Sequence, residues 1–370
     1  MSGRRACGQA GRRAGRRLSP SLSPRVTLQG MVPGLDFGPE MKRREFISLL
    51  GGTAAAVLAP PARAQQPSRP TVGFLVSASA AGYQAIMSPI LKGLGEAGYA
   101  DGKNLTVEYR WADYHYDRLP ALAADLVSRQ VAVIFCTGSV VSALAAKSAT
   151  KTIPIVFANG SDPVKYGLVE SLNRPGGNMT GVTFYNSGLG PKRIELLRQL
   201  VPNAAAIGLL VNPNNPNAKD DGDEITQAGK NVGIRIEIIN ASSDREIEDA
   251  FANIGERHVD ALMVHIDALF NAQVQAKKII ALAEQYAVPA MFANHNAPKL
   301  GALMSYSTNV DEMDHQAGGY IGKILKGAKP SDLPVLQPTK YDLIVNLKTA
   351  KKLGLTVPLI VQMTADEVIE

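Results

Sequence analysis

The sequence predicts an α/β protein made of two doubly wound, Rossmann-like lobes joined by a three-strand hinge. Short runs rich in valine, isoleucine and leucine alternate with segments of helical periodicity, which is typical of parallel sheets covered by helices on both faces. This alternation starts at residue 71 and restarts near residue 205, and one further strand and helix follow, too little for a third domain. We therefore expect the chain to cross back to the first lobe and then again to the second, so that three connections form the hinge.

The first lobe opens with TVGFLVS (71–77), a continuous apolar run that predicts a buried strand. NLTVEYRW (104–111) alternates and predicts a second strand, and residues 117–130 place their leucines and valine on one helical face. Further strands are predicted at VAVIFC (131–136), IPIVFA (153–158) and NMTGVTF (178–184), with a helix from about Ser139.

The second lobe repeats this pattern. Strands are predicted at residues 205–212, 233–240, 260–266 and 288–293, and helices near residues 217–230, 244–256 and 270–286. The C-terminal part adds a short strand at ALMSYS (302–307), a helix over 310–327 and a last helix at 347–355. We expect lobe one to comprise residues 65–186 plus 305–332, and lobe two residues 187–304 plus 333–370.

An export signal is predicted at residues 41–64. Met41 is followed by a lysine and the twin arginines Arg43 and Arg44, then by an uncharged stretch and by Ala62-Arg63-Ala64, where cleavage is expected. The apolar stretch is too short to span a bilayer, which needs about 20 residues. A buried N-terminal helix is the alternative interpretation. Residues 1–40 are rich in arginine, glycine, serine and proline, and are interpreted as disordered or as an over-extended gene start.

The charge and cysteine content point away from two classes of protein. The whole chain has a net charge of +6, but residues 1–64 contribute +8 and leave −2 for the rest, so the high pI belongs to the leader. A nucleic-acid or anionic-membrane partner therefore loses its main support. Cys136 is the one cysteine after residue 64, so we expect no internal disulfide and interpret it as a small buried apolar residue.

Candidate binding residues follow the predicted strands, because ligands of open α/β sheets bind outside the carboxyl ends of the strands. The candidates share short polar side chains and, in one case, a glycine that lets the backbone approach a ligand. In lobe one they are Ser77, Ser79, Thr137, Gly138, Ser139, Asn159, Ser161 and Asp162, and in lobe two Asn212, Asn214, His265, Asp267 and Asn294.

Several of these residues have two interpretations. Ser139 stands where a helix begins, so it either offers a carboxylate site at the helix N-terminus or only caps the helix. Asp267 either takes an ammonium, which would complete an amino-acid zwitterion site, or caps a helix. Asp162 precedes Pro163, which favours capping. Tyr83, Tyr185 and Tyr306 are candidates for an apolar contact with the ligand or for ordinary packing.

The usual motifs of catalysis and cofactor binding are missing from the positions where they would act. No GxGxxG follows the first strand, and neither a phosphate-binding GxxxxGK[ST] loop nor a GxSxG elbow is present. The five histidines form no HExxH pattern, and the acidic segment at 217–228 has lysine and alanine at EF-hand ligand positions. We therefore expect no cofactor, no metal and no enzymatic activity.

Six stretches resemble those of the ABC-transporter substrate-binding family that includes tryptophan- and tyrosine-binding members. They are VGFLVSASA, GLGEAGYADGKNLTVEYRWAD, YDRLPALAADLVSRQVAVIFCTG, IPIVFANGSDPVKYGLVESLNRPGGNMTGVTF, GPKRIELLRQLVP and LPVLQPTKYDLIVNLKTAKKLGLTVP, and the resemblance covers nearly all of residues 70–358. The resemblance implies a type I periplasmic-binding-protein fold and delivery of a small solute to an ABC permease, without catalysis. The chain departs from the pattern of many relatives at Asn294, His295 and Ala302, which leaves the solute open, and also at Leu336, which is expected outside the cleft.

Together these observations predict a periplasmic receptor of an ABC importer, exported by the twin-arginine route, that binds a small polar or amino-acid-like, including aromatic, ligand between its lobes. The mature protein is expected neither to span a membrane nor to bind nucleic acid. Two alternatives stay open: a periplasmic ligand sensor for a membrane signalling partner, and an exported α/β enzyme. A cytosolic repressor of the same shape would need an N-terminal helix-turn-helix, and residues 1–64 do not provide one.

Overall fold

The computed structural model describes residues 69–83, 87–184 and 188–370, so the predictions for residues 1–64 lie outside the described residues. Two separate sheets carry the fold. The strands are β1 (Thr71–Val76), β2 (Thr106–Trp111), β3 (Val133–Thr137), β4 (Ile155–Asn159), β5 (Met179–Thr183), β6 (Ala206–Val211), β7 (Arg235–Asn240), β8 (Ala261–Val264), β9 (Ala290–Phe292), β10 (Met304–Ser307), β11 (Asp342–Asn346) and β12 (Glu367–Ile369).

Helices follow most of these strands. They are α1 (Ala80–Tyr83), α2 (Met87–Glu96), α3 (Leu119–Ser128), α4 (Val140–Ala149), α5 (Gly190–Leu200), α6 (Asn217–Asn231), α7 (Asp244–Ala252), α8 (Ala268–Asn271), α9 (Gln273–Gln285), α10 (Val310–Leu325), α11 (Leu347–Lys352) and α12 (Leu359–Thr364). Short 3-10 turns lie at Tyr116–Arg118, Ala297–Leu300 and Pro330–Asp332.

The first sheet has the order β2-β1-β3-β4-β5 with all neighbours parallel. The second has the order β12-β11-β10-β9-β8-β6-β7, in which only the β10–β11 pair is antiparallel. The inner strands are buried along their whole length, which explains their continuous apolar runs. The predicted α/β fold with two doubly wound halves is confirmed. We call each sheet, with the helices packed on it, the first lobe and the second lobe.

Helix α10 returns to the first lobe and packs closely on α2. Gly93 and Gly318 allow this approach, since a Cβ atom on either would lie 2.0 Å from a carbonyl oxygen of the other helix, that of His315 or Ile90. Tyr320 and Ile321 of α10 join the same apolar core as Phe74. Strand β10, which precedes α10, is hydrogen-bonded within the second sheet. The expected lobe boundary before residue 305 assigns most of this strand to the first lobe.

The connections between the lobes lie side by side. Leu336 forms an isolated parallel bridge with Val182, and its N–H and C=O pair with Gly181 O and Thr183 N at 3.0 and 2.9 Å. The Thr308 hydroxyl donates to the Phe184 carbonyl at 2.7 Å. Backbone from all three crossings is therefore joined at one place, as the hinge requires.

Candidate functional site

A small crevice lies between the carboxyl ends of the two sheets, and residues of both lobes line it. The crevice has a volume of about 30 Å³. That is room for two or three water molecules, so the two lobes are closed on each other. The lining residues are Tyr83, Gly138, Ser139, Val140, Ala158, Asn159, Gly160, Ser161, Phe184, Asn215, Asn217, Ile266, Asp267 and Asn271.

The first-lobe wall is built at the end of β3. Gly138 has φ +89°, and a Cβ atom there would lie 2.5 Å from the Ser77 hydroxyl, so only glycine fits this turn without strain. The turn brings Ser139 to the N-terminus of α4, where its hydroxyl oxygen accepts from Val141 N at 3.3 Å. Ser139 therefore caps the helix and lines the crevice at once. The remaining N–H groups of the first helical turn attract anions.

Asn159 adds an unpaired donor to this wall. Its Oδ1 accepts from Ser161 N at 3.0 Å, which fixes the orientation of the amide. Asn159 lines the crevice, and its buried Nδ2 has no hydrogen-bond partner. Buried polar groups in native proteins are nearly always paired, so this donor calls for an acceptor from a ligand or from water.

The second-lobe wall is dominated by Asp267, which is 2% exposed. The carboxylate accepts four hydrogen bonds, from Asn212 Nδ2 at 3.1 Å, Asn215 Nδ2 and Leu269 N at 2.9 Å each, and Tyr116 OH at 3.3 Å. All four donors are neutral. Burial raises the pKa of Asp267 despite these hydrogen bonds, because none of them supplies the positive charge that would balance the carboxylate.

Asn217 connects the two walls and adds an unpaired acceptor. Its Nδ2 donates to the Ser161 hydroxyl of the opposite lobe at 2.5 Å, while its Oδ1 is buried without a partner. A first-lobe residue with an unpaired donor and a second-lobe residue with an unpaired acceptor therefore line the same crevice.

Tyrosines close the crevice from the first lobe. The Tyr116 hydroxyl donates to Asp267, and its pKa is raised well above the ordinary value by burial and by that carboxylate. Burial likewise raises the pKa of Tyr83. Both phenols stay protonated at neutral pH, so Asp267 is the acidic group of the lining that can carry charge there.

The remaining candidates lie around the crevice without lining it. Ser77 and Thr137 are buried beneath the Gly138 turn, Ser79 donates to Tyr114 OH at 3.4 Å, and Asn212 supports Asp267. Their part in binding stays a prediction.

Five other candidates do not line the crevice. Asp162 accepts from two backbone N–H groups of its own turn, as its capping interpretation expected. His265 binds Asp221 at 2.7 Å outside the crevice. Asn214 is exposed, Asn294 accepts from Asn296 N at 2.9 Å, and the Tyr306 carbonyl accepts from Arg193. Tyr185 lies outside the described residues.

Sequence reasoning missed several lining or closing residues, among them the polar side chains of Tyr116, Asn215, Asn217 and Asn271. The asparagine-rich NPNNPN segment at 212–217 was a usable signal, because it directly follows a predicted strand and opens a helix. Tyr116 stands on a 3-10 turn that positive φ angles at Asp113 and Tyr114 make possible, and no periodic pattern indicates such a turn.

Two further properties concern only the part of the chain that the structure describes. No helix there has the length and apolar character needed to cross a membrane. No cluster of three or more His, Cys, Asp or Glu side chains there is arranged to hold a metal ion.

The fold and the crevice define a two-lobed binding protein. The sequence matches the ABC transporter substrate binding protein family over residues 71–369, and the chain belongs to that family. It is 29% identical over 266 residues to a tyrosine-binding protein of Clostridioides difficile (strain R20291), with 72% of this chain and 75% of the relative covered.

Solved structures of two relatives bear on the arrangement of the lobes. The ABC domain in complex with L-Trp from Streptococcus pneumonia is 27% identical, with a TM-score of 0.73 and coverage of 82% of this chain and 100% of the other. A ligand-free, open substrate binding protein with adhesive properties from Clostridium difficile is also 27% identical, with a TM-score of 0.57 and coverage of 81% and 99%. At equal identity the chain is more similar to the ligand complex than to the open structure, in agreement with its narrow crevice.

Proposed function

We propose that this chain is the periplasmic solute receptor of an ABC importer and that it binds an α-amino acid zwitterion in the crevice. The main support is that the N-terminus of α4 lies on one wall of the crevice and the buried Asp267 carboxylate lies on the other. The similarity to tyrosine- and tryptophan-binding relatives supports the same class of ligand.

The first-lobe wall suits the ligand carboxylate. The N-terminus of α4 favours negative charge, and Asn159 Nδ2 is a buried donor without a partner. Hydrogen bonds to a charged group contribute about 1.5–3 kcal/mol each. The ligand carboxylate would therefore pair the donor that the fold leaves unpaired.

The second-lobe wall suits the ligand ammonium. Asp267 provides the charge and Asn217 Oδ1 provides a further acceptor. A carboxylate held by neutral donors costs free energy to bury until a cation joins it. Tyr83, Phe184 and Ile266 supply apolar surface for the rest of the ligand.

Ligand entry requires the lobes to separate, because about 30 Å³ is too small for an amino acid. Closure around the ligand would then form the surface that docks on a permease. The leader at 41–64 supports export, and its twin arginines support the twin-arginine route.

A thermal-shift screen tests the proposal. L-tryptophan and L-tyrosine are compared with tryptamine and tyramine, which lack the carboxylate, and with 3-indolepropionate and 3-(4-hydroxyphenyl)propionate, which lack the ammonium. We expect at least one amino acid of a wider panel to raise Tm, by an amount equivalent to about 2.7 kcal/mol at 100 times its Kd, and both truncated forms to lose the effect. Equal shifts from a truncated form would refute zwitterion recognition.

Asp267→Asn supplies the matching variant. Removing the charge should weaken binding roughly 10- to 150-fold, the equivalent of 1.5–3 kcal/mol, and should leave the fold stable. Asp260→Asn is the control, because Asp260 accepts hydrogen bonds from Ala205 N and Ala206 N at the opposite end of the sheet. Calorimetric titration of the three proteins gives the comparison.

A further inference from the structure

An ion pair joins the two lobes outside the crevice. Lys165 of the loop after β4 lies 2.8 Å from the Asp220 carboxylate of α6, measured from Nζ to Oδ2. The neighbouring Tyr166 hydroxyl donates to the same oxygen at 3.3 Å. Neither partner lines the crevice, and both side chains are about half exposed, 54% for Lys165 and 43% for Asp220.

The fold holds both partners in place. Asp162 Oδ1 accepts from Val164 N at 2.9 Å and Lys165 N at 3.1 Å, so this carboxylate shapes the turn that presents Lys165. Asp220 lies in the first turn of α6, where the helix dipole stabilises negative charge.

The electrostatics of the contact agree with a formed ion pair at neutral pH. Hydrogen bonding to Lys165 lowers the pKa of Asp220, and the same contact raises the pKa of Lys165. Burial, together with the Asp220 charge, raises the pKa of Tyr166 to about 12.

We propose that Lys165, Tyr166 and Asp220 form a latch that stabilises the closed arrangement and thereby sets ligand affinity and release without touching the ligand. The inference rests on the proposed function only where it concerns affinity. When the lobes open, Asp220 separates from Lys165 and Tyr166 while each side remains folded, so the contact favours closure alone. A ligand that binds the closed form gains affinity in proportion to the population of that form.

The effect of the latch on the equilibrium between open and closed forms is expected to be small, because both side chains of the ion pair are about half exposed. Exposed ion pairs change an equilibrium by a factor of about 1.5 to 5. The effect should shrink at high ionic strength, because the Debye length falls to about 3 Å at 1 M salt.

The test measures the distance between the lobes in the purified protein without ligand. Spin labels are attached through Lys151→Cys in the first lobe and Lys277→Cys in the second, both exposed positions, in a protein that carries Cys7→Ser and in which Cys136 is buried. We expect a short-distance population in the parent protein, and we expect the ratio of short- to long-distance populations to fall about 1.5- to 5-fold in Lys165→Gln and in Asp220→Asn. The charge swap Lys165→Asp with Asp220→Lys should restore much of it.

A matched control lies on the same helix. Lys219 pairs with Asp223 at 2.7 Å within α6, so Lys219→Gln removes a similar surface ion pair that does not cross between the lobes. We expect the Lys219→Gln variant to have the same distance distribution as the parent protein. A parent protein without the short-distance population, unchanged distributions in the latch variants, or a swap that restores nothing would overturn the latch.

Binding measurements separate the two proposals. If L-tryptophan or L-tyrosine binds, its Kd should rise by the same factor in Lys165→Gln as the closed population falls. If neither binds, the label distances still decide the latch, since they need no ligand.

Discussion

At the scale of single residues, the crevice differs from an ordinary interior in its unpaired polar groups. Asn159 Nδ2 and Asn217 Oδ1 are buried without partners, and the buried Asp267 carboxylate accepts its hydrogen bonds from neutral donors. Each of these costs stability, and each is of the type that an amino acid would pair. The residues that lower stability here are therefore the ones to which we assign binding.

The pH dependence of binding tests the role of Asp267. Burial raises its pKa, so the carboxylate takes up a proton at a higher pH than an ordinary aspartate, and the stability that the protonated group contributes is lost as pH rises through the raised pKa. A ligand ammonium needs the ionised form. We expect the affinity for a bound amino acid to fall as pH is lowered from 7.5 towards 4.5, beginning above the ordinary aspartate pKa of about 3.9.

Calorimetric titrations at several pH values measure this dependence. Asp267→Asn should bind weakly and with little change over the same range. If the variant retains the slope of the parent protein, a different group titrates and the assignment of the ammonium to Asp267 is wrong.

Sequence reasoning at this scale left the roles of two positions open. Ser139 and Asp267 each had a binding and a capping interpretation, and the structure shows the caps at positions that also line the crevice. The two interpretations are compatible because a helix N-terminus presents its cap and its free N–H groups to the same space. Tyr116 reaches Asp267 across 151 residues of sequence, and no local pattern encodes such a contact.

At the scale of elements, packing of α10 on α2 attaches the returning chain to the first lobe. Gly318 faces Ile90 O across this contact, whereas a Cβ atom at the adjacent Gly319 would meet no atom within 4 Å. Gly318→Ala should lower the free energy of unfolding by about 1–3 kcal/mol through overpacking. Gly319→Ala should leave it unchanged or raise it by up to about 1 kcal/mol, because alanine favours the helix.

Urea unfolding of both variants checks this packing. Equal destabilisation by the two substitutions would indicate that helix propensity or the unfolded state decides the outcome, and that α10 does not depend on the close approach at Gly318.

Elements with strong patterns were predicted within a few residues, and elements without them were missed. The buried strands β1, β3 and β6 have continuous apolar runs. The segment predicted as one helix over 270–286 is two, because Ala272 has φ −61° and ψ 134° and interrupts it. Helix α12 was missed because Leu359, Ile360 and Met363 are exposed, so its apolar residues do not mark a buried face.

At the scale of the whole molecule, the proposed binding function depends on two lobes that meet at the carboxyl ends of their strands. The hinge connections are hydrogen-bonded to one another, and cross-lobe contacts at Ser161, Lys165 and Asp267 hold the walls together. The repeat of the strand–helix pattern predicted this architecture from the sequence. The closed crevice could not be predicted in the same way, because its contacts join residues that are far apart in the chain.

Binding of an amino acid zwitterion between the lobes is tested by a crystal structure with the amino acid that gives the largest thermal shift. We expect the ligand to lie between the lobes, with its carboxylate within hydrogen-bonding distance of Ser139 or Asn159 and its ammonium within hydrogen-bonding distance of Asp267. A ligand bound outside the crevice, or one with its carboxylate turned towards Asp267, would contradict it.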